Sequence, residues 1–190
     1  MKIITTPAPS LREPSQKVSK IDAKTKKIVN QMVKASLDWE KEHPYELSAA
    51  MAAPQLGFNQ RIIIIRDNLE DKEKNGFTAL INPSVIKTSG KIIKEHEGCL
   101  SVPFIYGLVP RPEKARIKAQ TIDGIEVRIR ATGPLARTLL HEIDHLDGIL
   151  FIDHIKNQSD AFFELNDQGD IVPIDYETRI KNNKDLFPDD

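Results

Sequence analysis

Residues 132–148 read TGPLARTLLHEIDHLDG, and the segment His141-Glu142-Ile143-Asp144-His145 inside them governs how the chain is interpreted. Gly133-Pro134 marks a helix start, with Thr132 or Gly133 as cap and proline in the first turn, where its missing N–H is no loss. Gly148 is placed to end the helix as its C′ glycine. On a helix, residues i and i+4 differ by about 40° of rotation, so the imidazoles of His141 and His145 converge on one point. That point suits a divalent cation. Glu142 lies between them and reaches a water on the cation, from which it can move a proton to a leaving amine. Leu135, Leu139, Ile143 and Leu146 form an apolar stripe beside the histidines, so the helix is expected to pack with its ligand face next to a core. The competing reading is a solvated helix face with two surface histidines.

A catalytic site of this kind takes three protein ligands and leaves one position open. Two residues compete for the third place. Glu164, downstream in FFELNDQGD, would make a two-histidine, one-glutamate site, although its surroundings read as a strand and turn rather than a helix. Cys99, in Glu97-Gly98-Cys99-Leu100-Ser101, follows a glycine that lets backbone approach closely, and its thiolate suits a transition metal. It is the chain's one cysteine, so a disulfide within the monomer is excluded. His96 should point to the opposite strand face from Glu97. His43 and His154 have no motif around them and read as structural or exposed.

Working outward, residues 22–43 predict one long helix, with Ile28, Met32, Ala35 and Trp39 on its core stripe and Pro44 after its end. Residues 61–67 (RIIIIRD) predict a strand buried on both faces. Residues 77–82 and 91–96 are further strand candidates. Residues 114–121 and 125–131 flank Asp123-Gly124, a strong hairpin signal. A small hairpin is expected from 162–165 and 170–174 around Gln168-Gly169, followed by a polar end, KNNKDLFPDD, expected to fray. The 190 residues, 39 % hydrophobic and 29 % charged, fit one domain with an ordinary core. A formal charge of −1 argues for neither nucleic acid nor an anionic membrane as a direct partner. The longest aliphatic run, Ile62 to Ile65, is too short to span a bilayer, and the first residues lack the apolar segment of a signal peptide. The expected location is cytoplasmic.

Three segments resemble the signature of the peptide deformylase family: Ala52-Ala53-Pro54-Gln55, Glu97-Gly98-Cys99-Leu100-Ser101 and the His141–His145 motif, in the family's order and near its spacing. The stretch CLSVPFIYGLVPR (residues 99–111) is also similar. The resemblance covers residues 1–155, implying a catalytic domain there and a C-terminal extension of the same domain over 156–190. It implies an α+β fold in which mixed and antiparallel β-sheets pack around a central metal-bearing helix, plus the long N-terminal helix. It implies removal of the formyl group from N-formylmethionine on nascent chains, at the ribosome, by a monomer. Carried over, Cys99, His141 and His145 hold one divalent metal ion. Fe²⁺ is favoured, with Zn²⁺, Ni²⁺ or Co²⁺ able to substitute. Glu142 becomes the general base and then acid. Gln55 and the backbone N–H of Leu100 become oxyanion donors. Ala50, Gly98 and Arg137 fall at the substrate, and Glu97, paired with Arg111, behind the ligands.

One departure bears on the substrate. The family's Gly-x-Gly-x-Ala loop reads Ser48-Ala49-Ala50-Met51-Ala52 here, so Ser48 and Ala50 stand where glycines are usual. If Ala50 needs a positive φ, the loop must move; if it is extended, alanine fits. Three readings follow: an active deformylase, a deformylase-like protein acting on another formyl or acyl amide or only binding it, and an unrelated metalloprotease using Glu164.

Overall fold

The computed structural model describes residues 1–43, 46–68, 76–166 and 168–188; Pro44 lies outside them. Helix α1 spans Ala23–Glu42, and the Asp22 carboxylate caps it by accepting from the N–H groups of Lys24 and Thr25. Its stripe is buried at Ile28, Met32 and Ala35 but does not continue to Trp39, which is only half-buried. Ser36 and Glu40 take the inner face instead. They face a buried ion pair rather than apolar core, since Glu40 lies 2.5 Å from the guanidinium of Arg66. Glu40 also accepts the backbone N–H of Ser48, so this charge pair pins the segment after α1.

Seven strands follow: β1 (Ala50–Ala52), β2 (Ile62–Arg66), β3 (Phe77–Cys99), β4 (Val102–Gln120), β5 (Glu126–Thr132), β6 (Phe162–Leu165) and β7 (Ile171–Pro173). They form one connected antiparallel sheet in the order β1-β2-β3-β4-β6-β7, with β5 also on β4. Strand β4 is long enough to pair with β5 through residues 114–120 and with β6 through Tyr106 and Gly107. The two short strands expected over 77–82 and 91–96 are parts of β3. Register shifts near Ile81, Val85 and Ser89, and Asn82 at φ 52°, break the period-two alternation that would have marked a continuous strand.

Strand β2 is buried on both faces because a helix covers each. Ile63 and Ile65 pack toward α2 (Gly133–Leu146), and Ile62 and Ile64 toward α1. Each such isoleucine contributes about 1.5–3 kcal/mol by burial. Helix α2 begins at Thr132 with Pro134 in its first turn, as expected, but its inner stripe is rotated. Ala136, Leu139, Leu140, Ile143 and Leu146 face the sheet, while Leu135 is 37 % exposed. The small side chains of Ala52, Ala115, Ala119 and Ala131 lie in the same cluster and let the helix approach at Ala136. Gly148 has φ 76°, and a Cβ there would sit 2.4 Å from the Arg12 carbonyl oxygen, so only glycine lets the N-terminal segment cross.

The C-terminal region, expected to fray, is packed as far as Phe187; residues 189–190 lie outside the described residues. Leu186 and Phe187 are buried in a third cluster with Phe151, Ile152 and Phe162. Arg12 holds it by donating to the Leu186 carbonyl at 2.6 Å and pairing with Asp153. A short helix, α3 (Tyr176–Arg179), follows β7. Among the described residues, no helix is long and apolar enough to cross a membrane.

Candidate active site

Cys99 ends β3 at a two-residue turn, Leu100-Ser101, and pairs across it with Val102. The Ser101 N–H points back at the Cys99 sulfur from 3.4 Å. Two backbone hydrogen bonds from the N-terminal segment hold the neighbouring loops: Thr6 N–H to the Ser101 carbonyl (2.9 Å) and Ile4 N–H to the Gln55 carbonyl (2.8 Å). Gln55 sits in the turn Ala53–Leu56 and is buried. Its Oε1 accepts the Ala52 N–H, which fixes the amide. Nε2 then faces Ser101 Oγ at 3.2 Å and Cys99 Sγ at 3.7 Å.

Helix α2 brings His141 and His145 to this turn. Cys99 Sγ lies 3.1 Å from His145 Nε2, and the ligand atoms of Cys99, His141 and His145 all lie within 4.8 Å of one another. Tetrahedral coordination with bonds of about 2.0–2.3 Å separates ligand atoms by about 3.4–3.7 Å. The cluster can therefore close on one cation by small side-chain shifts. Among the described residues it is the one group of this kind; Glu164 is instead paired with Arg179 at 2.6 Å on the cleft wall. Glu142 lies in the same cleft, buried, with its Oε2 lacking any hydrogen-bond partner.

A network of charged groups backs the histidines. Glu97 accepts from His141 Nδ1 (2.9 Å), from Arg111 through two nitrogens (2.7 and 3.0 Å) and from Arg137 (2.6 Å). Arg111 also donates to Asp144 (2.6 Å), which His154 contacts at 2.7 Å. Arg137 was expected at the substrate. It borders the cleft, but its guanidinium is committed to Glu95, Glu97 and the carbonyls of Ile93 and Val109. Asp144, a variable position of the motif, escaped the sequence reading; His154, read as structural or exposed, is exposed. The usable signal was Asp144 one turn beyond His141.

Burial alone would raise the carboxyl of Glu97, but His141 and Arg111 outweigh it and hold the group well below the ordinary range. Burial likewise opposes ionisation of Asp144, yet His154 and Arg111 keep its pKa low. At Glu142 burial outweighs the attraction of His141 and Arg111 and raises the carboxyl to about 7. A cation nearby would pull that value down. Burial disfavours charge on both histidines. Hydrogen bonds to Cys99 and Glu97 override it at His141, whose pKa lies above the ordinary value, whereas the charge of His141 adds to it at His145.

The cleft in front of these groups has a volume of about 950 Å³, room for a short peptide. Ser48 and Ala50 form one wall, Gly98 and Leu100 lie beside Cys99, and Trp39 and His43 stack together at 4.3 Å along the same border. Gly98 has no side chain because a Cβ there would meet the Tyr106 ring at 2.9 Å. Phe104, 85 % exposed and at φ 65°, and the C-terminal residues Leu165 and Arg179 also border the cleft. Trp39, assigned to the core from its helical spacing, and His96, set edge-on to Phe163, both line it. These side chains were not identifiable beforehand because helix docking and strand pairing bring them together.

A buried carboxylate and a thiolate–imidazole cluster at the base of a peptide-sized cleft are the machinery of a metal-dependent amide hydrolase. The family model for polypeptide deformylase matches residues 1–161. A peptide deformylase from Halothermothrix orenii is 44 % identical over 147 residues, covering 77 % of this chain and 88 % of the relative. One from Thermomicrobium roseum is 38 % identical over 160 residues, covering 83 % and 86 %. The crystal structure of a Synechococcus elongatus peptide deformylase in complex with actinonin superposes with a TM-score of 0.75 at 34 % identity, covering 83 % of this chain and 82 % of that one. A Legionella pneumophila peptide deformylase gives 0.71 at 33 %, covering 80 % and 84 %. The chain belongs to the peptide deformylase family and removes the formyl group from nascent peptides.

Proposed function

We propose that Cys99, His141 and His145 hold a single divalent cation, Fe²⁺ in the cell, and that Glu142 moves the protons of N-formylmethionine hydrolysis. The observation carrying this reading is a three-donor cluster with a buried, unpartnered carboxylate beside it. Bound there, the cation would supply Lewis-acid chemistry, lowering the pKa of water and offsetting charge on the formyl oxygen. Glu142 takes one proton from the attacking water. As the C–N bond breaks, it returns that proton to the methionine nitrogen; the formic acid released then gives up the second water proton to the amine, leaving formate and an ammonium group. Gln55 Nε2, aimed by the Ala52 N–H, and the Leu100 N–H donate to the oxyanion, each worth about 3–4 kcal/mol. Glu97 fixes the His141 tautomer through Nδ1, keeping Nε2 for the cation. Arg111 and Arg137 position Glu97; Arg137 serves the site in this way rather than by touching substrate.

The domain comprises residues 1–155 with 156–190 as its extension, supported by β6 pairing with β4 and by burial of Leu186 and Phe187. In this reading the enzyme acts as a monomer on nascent chains at the ribosome in the cytoplasm. The decisive measurement is formate release from formyl-Met-Ala under anaerobic conditions, with metal content measured on the same sample. A metal-loaded sample that releases no formate would leave the site to another acyl amide or to binding alone.

Ala50 lies in β1, paired with Ile65, and is not among the positive-φ residues. Alanine therefore fits without strain. Ser48, on the same cleft wall, donates to Ser36 Oγ at 3.1 Å. Ala50→Gly should change kcat/KM on formyl-Met peptides by no more than a few-fold; a large activation would show that the methyl group blocks the cleft.

Acid sensitivity follows from Glu97 and Asp144. Their ordinary values are 4.5 and 3.8, and both are lower in the folded protein. As pH falls, the unfolded chain takes up these protons first, so the stabilisation is complete above the ordinary values and is lost on descending toward the folded ones. Tm measured from neutral pH to about pH 3 should fall steeply in the parent and more gently in Glu97→Gln. Parallel curves would remove Glu97 from this account.

A further inference from the structure

Strands β3, β4 and β5 present one face to α2, where Ala115, Ile117, Ala119 and Ala131 are buried. The opposite face is open to solvent, and register decides what it carries. Directly opposed residues on antiparallel strands project to the same side. Lys87 opposes Arg116, which opposes Arg130, making a row of three cations across three strands. In the next row Ser84 opposes Lys118, which opposes Arg128. Ser89, Lys114 and Thr132 form a third row. All six cations are exposed. Among the described residues, the one carboxylate paired with them is Glu126, 2.9 Å from Lys118.

Like charges placed directly opposite each other destabilise a sheet. Keeping an edge strand from aggregating needs charge, but alternating signs would do so without that cost. The net charge of −1 conceals this segregation and made nucleic acid an unexpected partner. Lys114 to Lys118 spans about 13 Å and the three strands about 10 Å, enough to meet several backbone phosphates. No aromatic side chain occupies these rows to stack on an unpaired base, which favours a duplex backbone over a single strand.

We propose that this basic sheet face docks duplex RNA through its phosphates. Docking there leaves His141 and His145 free, because α2 packs on the other side of the sheet. RNA rather than a membrane fits an enzyme whose substrate is still being translated. The choice of RNA rests on the nascent-chain reading above, whereas the basic face itself rests on strand register alone.

The test is anisotropy of a short labelled RNA duplex, titrated at about 50 to about 200 mM salt. The probes are the parent chain, Arg116→Gln/Arg130→Gln and, as control, Lys181→Gln/Lys184→Gln in the C-terminal region, both exposed. Expected is salt-dependent binding by the parent, at least tenfold weaker at low salt in the sheet variant. Its log–log salt slope should be smaller by about 2. The control should bind like the parent. Activity on formyl-Met-Ala should be unchanged in both variants, and Tm of the sheet variant equal to or above that of the parent, since like-charge repulsion is relieved. No parent binding, equal loss in both variants or a lowered Tm in the sheet variant would overturn the proposal. So would vesicles containing phosphatidylserine binding this face while the duplex does not.

Discussion

Alanine at Cys99, His141 or His145 is expected to abolish metal retention and formate release together. The three ligand atoms lie within 4.8 Å of one another, so each substitution leaves two donors, one fewer than a catalytic site of this type requires. Lewis-acid stabilisation is worth several kcal/mol, and each 1.36 kcal/mol is about tenfold in rate, so kcat/KM should fall by roughly a thousandfold or more. Metal analysis after dialysis, beside the formate assay, checks both halves. The three variants should differ in stability. His145→Ala opens a cavity at a residue only 1 % exposed, whereas Cys99→Ala removes a single sulfur from a half-buried turn. Full metal occupancy in any of them would show that residue is not a ligand. Metal retained in Glu164→Ala but lost in Cys99→Ala separates the two candidates for the third ligand, matching the Glu164–Arg179 pairing.

The second large effect is expected from Glu142→Gln. The amide has nearly the volume of the carboxylate and should sit in the same buried position, so fold and metal content should be preserved. It cannot accept and return a proton, and kcat should fall by about 10²–10⁴-fold. KM should change little if Glu142 acts only in the chemical step. In the metal-free protein the variant should be spared a loss of stability between about pH 4.5 and 7. Burial raises the parent's carboxyl from 4.5 to about 7, so the unfolded chain gives up this proton first and folding is opposed as pH rises through that window, whereas glutamine has no charge to bury. Near-normal kcat in a metal-replete variant would remove Glu142 from the proton path. The pairing of lost kcat with retained metal distinguishes this role from a structural one.

Local rules carried much of the chain. Helical spacing put His141 and His145 on one face, and that depends only on rotation per residue. Pro134 in the first turn of α2, the Asp123-Gly124 hairpin and the buried Ile62–Ile65 run are likewise consequences of neighbours within a few positions. Such rules failed where two elements shared a boundary. Trp39 has the spacing of a core residue, yet the stripe of α1 rotates toward the Glu40–Arg66 pair, whose partner comes from β2. Leu135 has the spacing of a core residue too, but the alanines of the sheet draw Ala136 inward. The polar composition of residues 181–190 argued for fraying, while Leu186 and Phe187 had an apolar surface waiting on Phe151 and Ile152.

What the sequence determined by itself is therefore the chemistry of single elements: a helix with two imidazoles and a carboxylate, a lone thiol beside a glycine, and a strand apolar on both faces. Only the tertiary structure brings Cys99, and not Glu164, beside the two imidazoles. Cys99 and His145 are 46 positions apart, and they meet at 3.1 Å because the β3–β4 turn, strapped by Thr6, packs against α2. It also decided that Glu97 receives His141, Arg111 and Arg137 at once, and that six cations share one sheet face. The reason is physical. Periodicity reports contacts within one element, whereas these juxtapositions depend on strand register and helix docking, which are set when distant apolar faces of the whole chain are buried together.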